Sequence, residues 1–188
     1  MRTTTRTLRT LLAVFVTLGA MLVGHTGLAA STNEKRGDKI VISGASGQLG
    51  TLVVKELLAR GVPASDLILV SRTPEKLDEF KQLGATTRFG DFSKPESLPA
   101  AYAGGTKMLL ISIGFDAGPR PEAHKRAVDA AVAAGIKHIV YTSFVAISKG
   151  DRAGLASDHF QTEEIIKQSG AAWTMLRNSI YANGLVQQ

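Results

Sequence analysis

From Asp38 onward, short runs of Ile, Val and Leu alternate with stretches whose apolar residues recur three and four positions apart. The first kind of pattern predicts strands and the second helices. Strands are expected at residues 39–43, 67–70, 85–89, 107–113, 137–143 and 172–176. The stretch 48–60 places Leu49, Val53, Val54, Leu57 and Leu58 on one helical face, and Gly61 follows as its stop. A second helix is expected over 74–83, with Pro74 in its first turn, Thr73 as N-cap and Gly84 beyond it. Further helices are expected at 95–102, 120–134 and 155–169, the last two closed by Gly135 and Gly170. Strands that are apolar throughout have both faces buried, and helices between them supply the cover. The pattern therefore predicts an α/β fold, a doubly wound parallel sheet of order 3-2-1-4-5-6 with helices on both faces.

Composition narrows the class without changing that picture. With 44% hydrophobic and 20% charged residues in 188, the chain is globular and long enough for one cored domain. It has no cysteine, which excludes disulfide scaffolds, thiolate metal sites and a Cys nucleophile. Half of the net charge of +6 comes from Arg2, Arg6 and Arg9. The remaining basic residues are scattered without interleaved aromatics, so no nucleic-acid partner is expected. His124 and His138 have no further ligands spaced with them, so no metal site is expected either.

Those three arginines precede an apolar run at residues 11–23 and then Gly27-Leu28-Ala29, which fits a small-residue cleavage site. Residues 1–30 are therefore expected to be a secretory signal peptide, with an uncleaved membrane anchor, a mitochondrial presequence and a mis-assigned start as alternatives. Residues 31–37 are expected to be a linker and 38–188 the domain. A working signal would send the chain to the periplasm or the medium; otherwise it would be cytoplasmic. Membrane contact is expected only through an uncleaved N-terminal segment.

Gly44-Ala45-Ser46-Gly47-Gln48-Leu49-Gly50 lies between the first strand and the first helix. In that setting Gly44 permits the tight turn, Gly47 lets backbone N–H groups approach a pyrophosphate, and Gly50 allows helix and strand to pack closely. The alternative is a tight turn with no ligand. An NAD site wants a carboxylate at the end of the second strand for the ribose 2′-hydroxyl. The chain has Ser71-Arg72-Thr73 there instead, a hydroxyl and a guanidinium suited to a 2′-phosphate, unless Arg72 simply faces solvent. NADP(H) is the expected cofactor, ahead of NAD(H).

Together with Gly90-Asp91-Phe92, Leu109-Leu110-Ile111-Ser112, Tyr141-Thr142-Ser143 and Leu176-Arg177-Asn178, these motifs resemble the NmrA-like atypical short-chain dehydrogenases/reductases, which have a Rossmann domain. Within that family the chain is similar to bacterial type 2 NAD(P)H:quinone oxidoreductases, from about Lys39 to its end. The resemblance implies that Asp91 and Phe92 lie by the adenine, and that Ser112, Ile113 and Gly114 run along the cofactor toward the nicotinamide. Ser143 would lie near the reacting face. It also implies a final strand and a small substrate domain past Gln188, so the chain is expected to be shortened and its activity is open.

Typical short-chain dehydrogenases pair a Ser with Tyr-x-x-x-Lys. In alignment with them Ser143 holds the Ser position, while Leu155 and His159 fall where Tyr and Lys would be. Tyr141 is expected to pack inside its strand. Reducing a ketone makes an alkoxide, whose conjugate acid has a pKa near that of bulk water, about 16. Reducing a quinone makes a phenolate, nearer about 10, a gap of about 8 kcal/mol in the need for a proton donor. The implied reaction is hydride transfer from NADPH to a quinone, with Ser143, His159 and Asn178 as candidate catalytic residues. His159 and Asn178 are candidates to orient the carbonyl, against structural roles for each. The other reading is a non-catalytic NADP(H)-sensing or partner-binding module. Residues 115–121 are either a cover for the nicotinamide or a connector. Substrate identity and a possible homodimer stay open.

Overall fold

The structure is a computed structural model, and it describes residues 37–114, 119–145, 147 and 154–179. The leader and most of the linker expected from the sequence, and residues 115–118, lie outside the described residues. The described chain runs β1 (Ile40–Ser43), α1 (Gln48–Ala59), β2 (Leu67–Ser71), α2 (Asp78–Gln82), β3 (Thr86–Phe89), α3 (Leu98–Tyr102), β4 (Lys107–Leu110), α4 (Arg120–Ala133), β5 (His138–Phe144), α5 (Gly154–Gln168) and β6 (Ala172–Asn178). All strand pairs are parallel, in the order β3-β2-β1-β4-β5-β6. This is the doubly wound arrangement that the alternation of patterns predicts.

Successive strand residues point to opposite faces, and the two faces carry separate cores. Val41, Ile68, Val70, Met108, Leu110, Ile139 and Tyr141 pack against Leu98 and Tyr102 of α3, Ala127, Val128 and Ala131 of α4, and Ile166 of α5. Ile42, Leu67, Leu69 and Leu109 pack the other way, against Val54 of α1 and Leu77 and Phe80 around α2. The edge strands differ: β3 and β6 have no fully buried residue, and Trp173 and Leu176 are exposed.

The helix expected over 95–102 opens with a 3₁₀ turn at Pro95–Ser97 before α3, and two other elements depart from expectation for identifiable reasons. The helix expected over 74–83 opens with a 3₁₀ turn at Pro74–Leu77 before α2. The Thr73 side chain does not cap it, because its hydroxyl turns to Ser71 Oγ, 3.3 Å away, and to Ser46 Oγ at 3.5 Å. The strand expected over 107–113 ends at Leu110. Past that point the amides of Ser112 and Ile113 donate to the side chains of Thr142 and His124 rather than to a neighbouring strand. Among the described residues no helix is long and apolar enough to cross a membrane.

Candidate functional site

The carboxyl ends of β1, β2 and β4 open into a cleft of about 450 Å³. Its floor is the turn after β1, where the amides of Gly44 and Ala45 both donate to the carbonyl of Val70 at 3.0 Å. Gly44 takes φ +90°, a conformation that side chains other than glycine's resist. Gly47 is the N-cap of α1, with no side-chain cap and no acid in the first helical turn. The N-terminal end of that helix therefore presents backbone donors and its positive dipole end to the cleft without a competing carboxylate. A Cβ on Gly50 would lie 2.2 Å from the Gly44 carbonyl oxygen and 2.7 Å from Ala45 Cα. Gly50 thus sets the close approach of α1 to the strand, while Gly47 lines the cleft itself. An extended diphosphate fits this cradle of small residues and donors.

On one side of the floor lie Ser46, Ser71, Arg72, Gly90, Asp91, Phe92 and Ser93, and on the other Ile111, Ser112, Ile113 and Gly114. Ser46 Oγ and Ser71 Oγ are 2.5 Å apart, which joins the glycine turn to the end of β2. Arg72 is exposed beside this hydroxyl pair. Asp91 accepts from the Ser93 amide at 2.9 Å and the Ser93 hydroxyl at 2.7 Å. Desolvation opposes its charge, but those bonds and the cations Arg72 and Lys94 hold its pKa below the usual carboxylate value.

Next to the cleft, β5, β6, α4 and α5 enclose a second polar group. The register of β5 on β6 sets Ser143 opposite Arg177 and Phe144 opposite Asn178. Ser143 Oγ donates to Glu163 at 2.6 Å, and Arg177 grips the same carboxylate with Nε and Nη2 at 2.9 and 2.8 Å. Glu163 is fully buried. Burial alone would raise its pKa, but Arg177, Ser143 and Lys167 bring it below the ordinary value. Tyr141 lies 2.7 Å from His159 Nδ1, and its burial pushes the phenol up to about 12. His159 stacks on Phe144, and burial with the Arg120 charge drives its pKa down to about 4. His124 is driven down to about 3, chiefly by burial and then by Arg120 and His159.

The expected cofactor residues Gly44, Ser46, Gly47, Ser71, Arg72, Asp91, Phe92, Ser112, Ile113 and Gly114 all line the cleft. Gln48, Leu49 and Gly50 stand behind it in the first turn of α1. Ser143, His159 and Asn178 are not among the lining residues; the first two belong to the buried polar group. Asn178 ends β6, and its carbonyl accepts the Val145 amide at 3.0 Å. Tyr141 packs inside β5 as expected, and it also joins that polar group through His159. Ser43, Gly90, Ser93 and Ile111 line the cleft without having been singled out as site residues. Gly90 carried a usable signal as the glycine after the third strand in Gly90-Asp91-Phe92, and a Cβ there would meet Val70 Cγ1 at 2.5 Å. Glu163 carried none, because its partners come from β5 and β6. Among the described residues no cluster of His, Asp and Glu could hold a metal ion.

An NAD(P)H-binding family profile matches residues 44–186. Quinone oxidoreductase 2 of Escherichia coli strain K12 is 38% identical over 143 residues, covering 76% of this chain and 49% of that protein. An NmrA-like family domain-containing oxidoreductase of Aspergillus flavus is 30% identical over 151 residues, covering 78% and 49%. The crystal structure of Citrobacter sp. triphenylmethane reductase complexed with NADP(H) superposes with a TM-score of 0.72 at 39% identity, covering 79% of this chain and 52% of that one. The chain spans about half the length of the relatives it matches.

Proposed function

The chain belongs to the NAD(P)H-binding, NmrA-like family, and from that premise we propose that it is an NADPH-dependent oxidoreductase whose acceptor is a quinone. The observation that carries this is the pairing of an uncapped helix N-terminus at Gly47 with Ser71 and Arg72 at the end of β2. Backbone donors and the helix dipole suit the diphosphate, and the guanidinium suits a 2′-phosphate through charge-assisted hydrogen bonds. The NADP(H) bound by the Citrobacter reductase and the name of the Escherichia coli relative support the choice of cofactor and acceptor.

NADPH, when bound, supplies a hydride, and a proton from water completes the quinol. The chain's own residues then act by placement. Ser71 and Arg72 fix the adenosine end, the glycine turn fixes the diphosphate, and Ser112 to Gly114 back the nicotinamide. Ser143 and Asn178 at the carboxyl ends of β5 and β6, and His159 on α5, are the candidates to orient the acceptor. Ser143 already gives its proton to Glu163, and His159 is neutral at ordinary pH. Neither is a strong acid, which suits an acceptor whose reduced oxygen is a stable phenolate.

The commitment of Ser143 to Glu163 also favours a second reading, a sensing module that binds NADPH without turnover. Following NADPH absorbance with and without a simple quinone separates the two. Quinone-dependent oxidation supports the reductase; tight NADPH binding with no oxidation overturns it in favour of the sensor.

A further inference from the structure

The Ile111 amide still donates to the Ser43 carbonyl of β1 at 3.3 Å, but beyond it the chain leaves the sheet ladder and its peptide groups are held by side chains. The Ser112 amide donates to Thr142 Oγ1 at 2.8 Å. The Ile113 amide donates to His124 Nε2 at 3.2 Å. The Ile113 carbonyl accepts from Nε and Nη2 of Arg120, each at 3.2 Å. His124 and Arg120 come from the first turns of α4, and both are buried, at 0% and 4% exposure. They are braced in turn by α5: Arg120 Nη1 bonds Asp158 Oδ2 at 2.8 Å, and His124 Nδ1 lies 3.0 Å from Thr162 Oγ1.

The tautomer follows from these partners. A backbone amide only donates, so Nε2 of His124 carries the lone pair and Nδ1 the hydrogen. That hydrogen goes to Thr162, whose own hydroxyl donates to the Asp158 carbonyl at 2.9 Å. Burial and the neighbouring Arg120 charge keep the ring neutral, so its lone pair is available over the whole working pH range. The two peptide units that flank Ile113 are thus each held, the first at its N–H and the second at its C=O, and turning either would leave a polar group unpaired.

We infer that His124 and Arg120 are positioning residues, a clamp on the two peptide units either side of Ile113 that sets the wall of the cleft facing the nicotinamide half of the cofactor. The inference rests on the cofactor reading above. The sheet order places Arg72 on the β2 side of the glycine turn and Ile113 on the β4 side. A dinucleotide whose 2′-phosphate meets Arg72 therefore extends its nicotinamide toward Ile113. Neither clamp residue lines the cleft, so both act through the backbone they hold.

The test titrates NADPH and adenosine 2′,5′-bisphosphate, which lacks the nicotinamide half, into the 188-residue chain and its variants. His124→Phe keeps the ring shape and removes the acceptor, while His124→Gln places a carbonyl oxygen near the Nε2 position. The Phe variant is expected to bind NADPH about tenfold more weakly, equivalent to about 1.4 kcal/mol, with unchanged affinity for the bisphosphate. The Gln variant is expected to recover most of the loss. Arg120→Lys keeps a charge for Asp158 but loses the two-pronged grip on Ile113, so it gives the same selective loss should His124→Phe not fold. Equal losses for both ligands, or no loss in any folded variant, overturn the clamp and leave the cofactor reading standing. A wild-type chain that binds neither ligand overturns the cofactor reading and the clamp with it.

Discussion

The nucleotide cleft and the polar group beside it are built on opposite principles. The cleft is open and made of glycines, small hydroxyls and backbone amides, with Arg72 as its exposed cation. The neighbouring group is closed, its side chains bonding one another and, through His124 and Arg120, the Ile113 backbone, with His124 and Glu163 fully buried. An open site leaves its donors for a ligand, whereas a closed one uses them up in stability. Changes to the cleft should therefore show in affinity and changes to the closed group in folding, apart from His124 and Arg120, which reach the cleft through the backbone they hold.

Gly50 tests the boundary between them, because it shapes the cleft without lining it. A side chain there meets backbone atoms that cannot retreat, so Gly50→Val should cost about 4 kcal/mol in urea unfolding. Gly47 lines the cleft, and a Cβ there meets only the Gly44 carbonyl at 3.4 Å, so Gly47→Ala should leave stability nearly unchanged.

Acid should strike the closed region next. An unfolded histidine takes up a proton near pH 6.5, but the folded His159 refuses it until about pH 4 and His124 until about pH 3. Unfolding therefore consumes protons within that window, and stability falls as pH drops through it. Lowering the pH from 7 to 5 should remove on the order of 3 kcal/mol, visible as a falling urea midpoint. His159→Phe should flatten that dependence; an unchanged slope would mean that the ring does not titrate as its burial requires.

How much of this could be read beforehand follows the same divide. The glycine turn, Ser71 and Arg72 were legible because strand, turn and helix are consecutive and the spacing itself encodes the chemistry. The end of β4 was not: residues 111–113 look like strand, and only the arrival of Thr142 and His124 from distant elements draws the amides of Ser112 and Ile113 away. The Thr73 cap failed for a related local reason, since its hydroxyl turns to Ser71 and Ser46 instead of the helix amides. Ser143 was correctly placed at the carboxyl end of its strand, but its bond to Glu163 across twenty residues leaves no mark in the sequence.

Two smaller effects sharpen the comparison. Glu163→Ala leaves the buried Ser143 hydroxyl without its acceptor and should cost about 2 kcal/mol of stability. Its NADPH affinity should stay within about twofold, because the carboxylate neither lines the cleft nor bonds the backbone that does. Arg72→Ala should do the reverse: melting is unchanged, while NADPH binds about tenfold more weakly and NADH as before. Equal weakening of both nucleotides by Arg72→Ala would remove its role in selecting the phosphate.

The most direct measurement is calorimetric titration of the folded chain with NADPH and with NADH under the same conditions. Saturable heat is expected with NADPH, with an affinity for NADH at least about tenfold lower, the worth of one charge-assisted contact to phosphate. Absence of heat with either nucleotide, or equal affinity for the two, would contradict the cofactor reading.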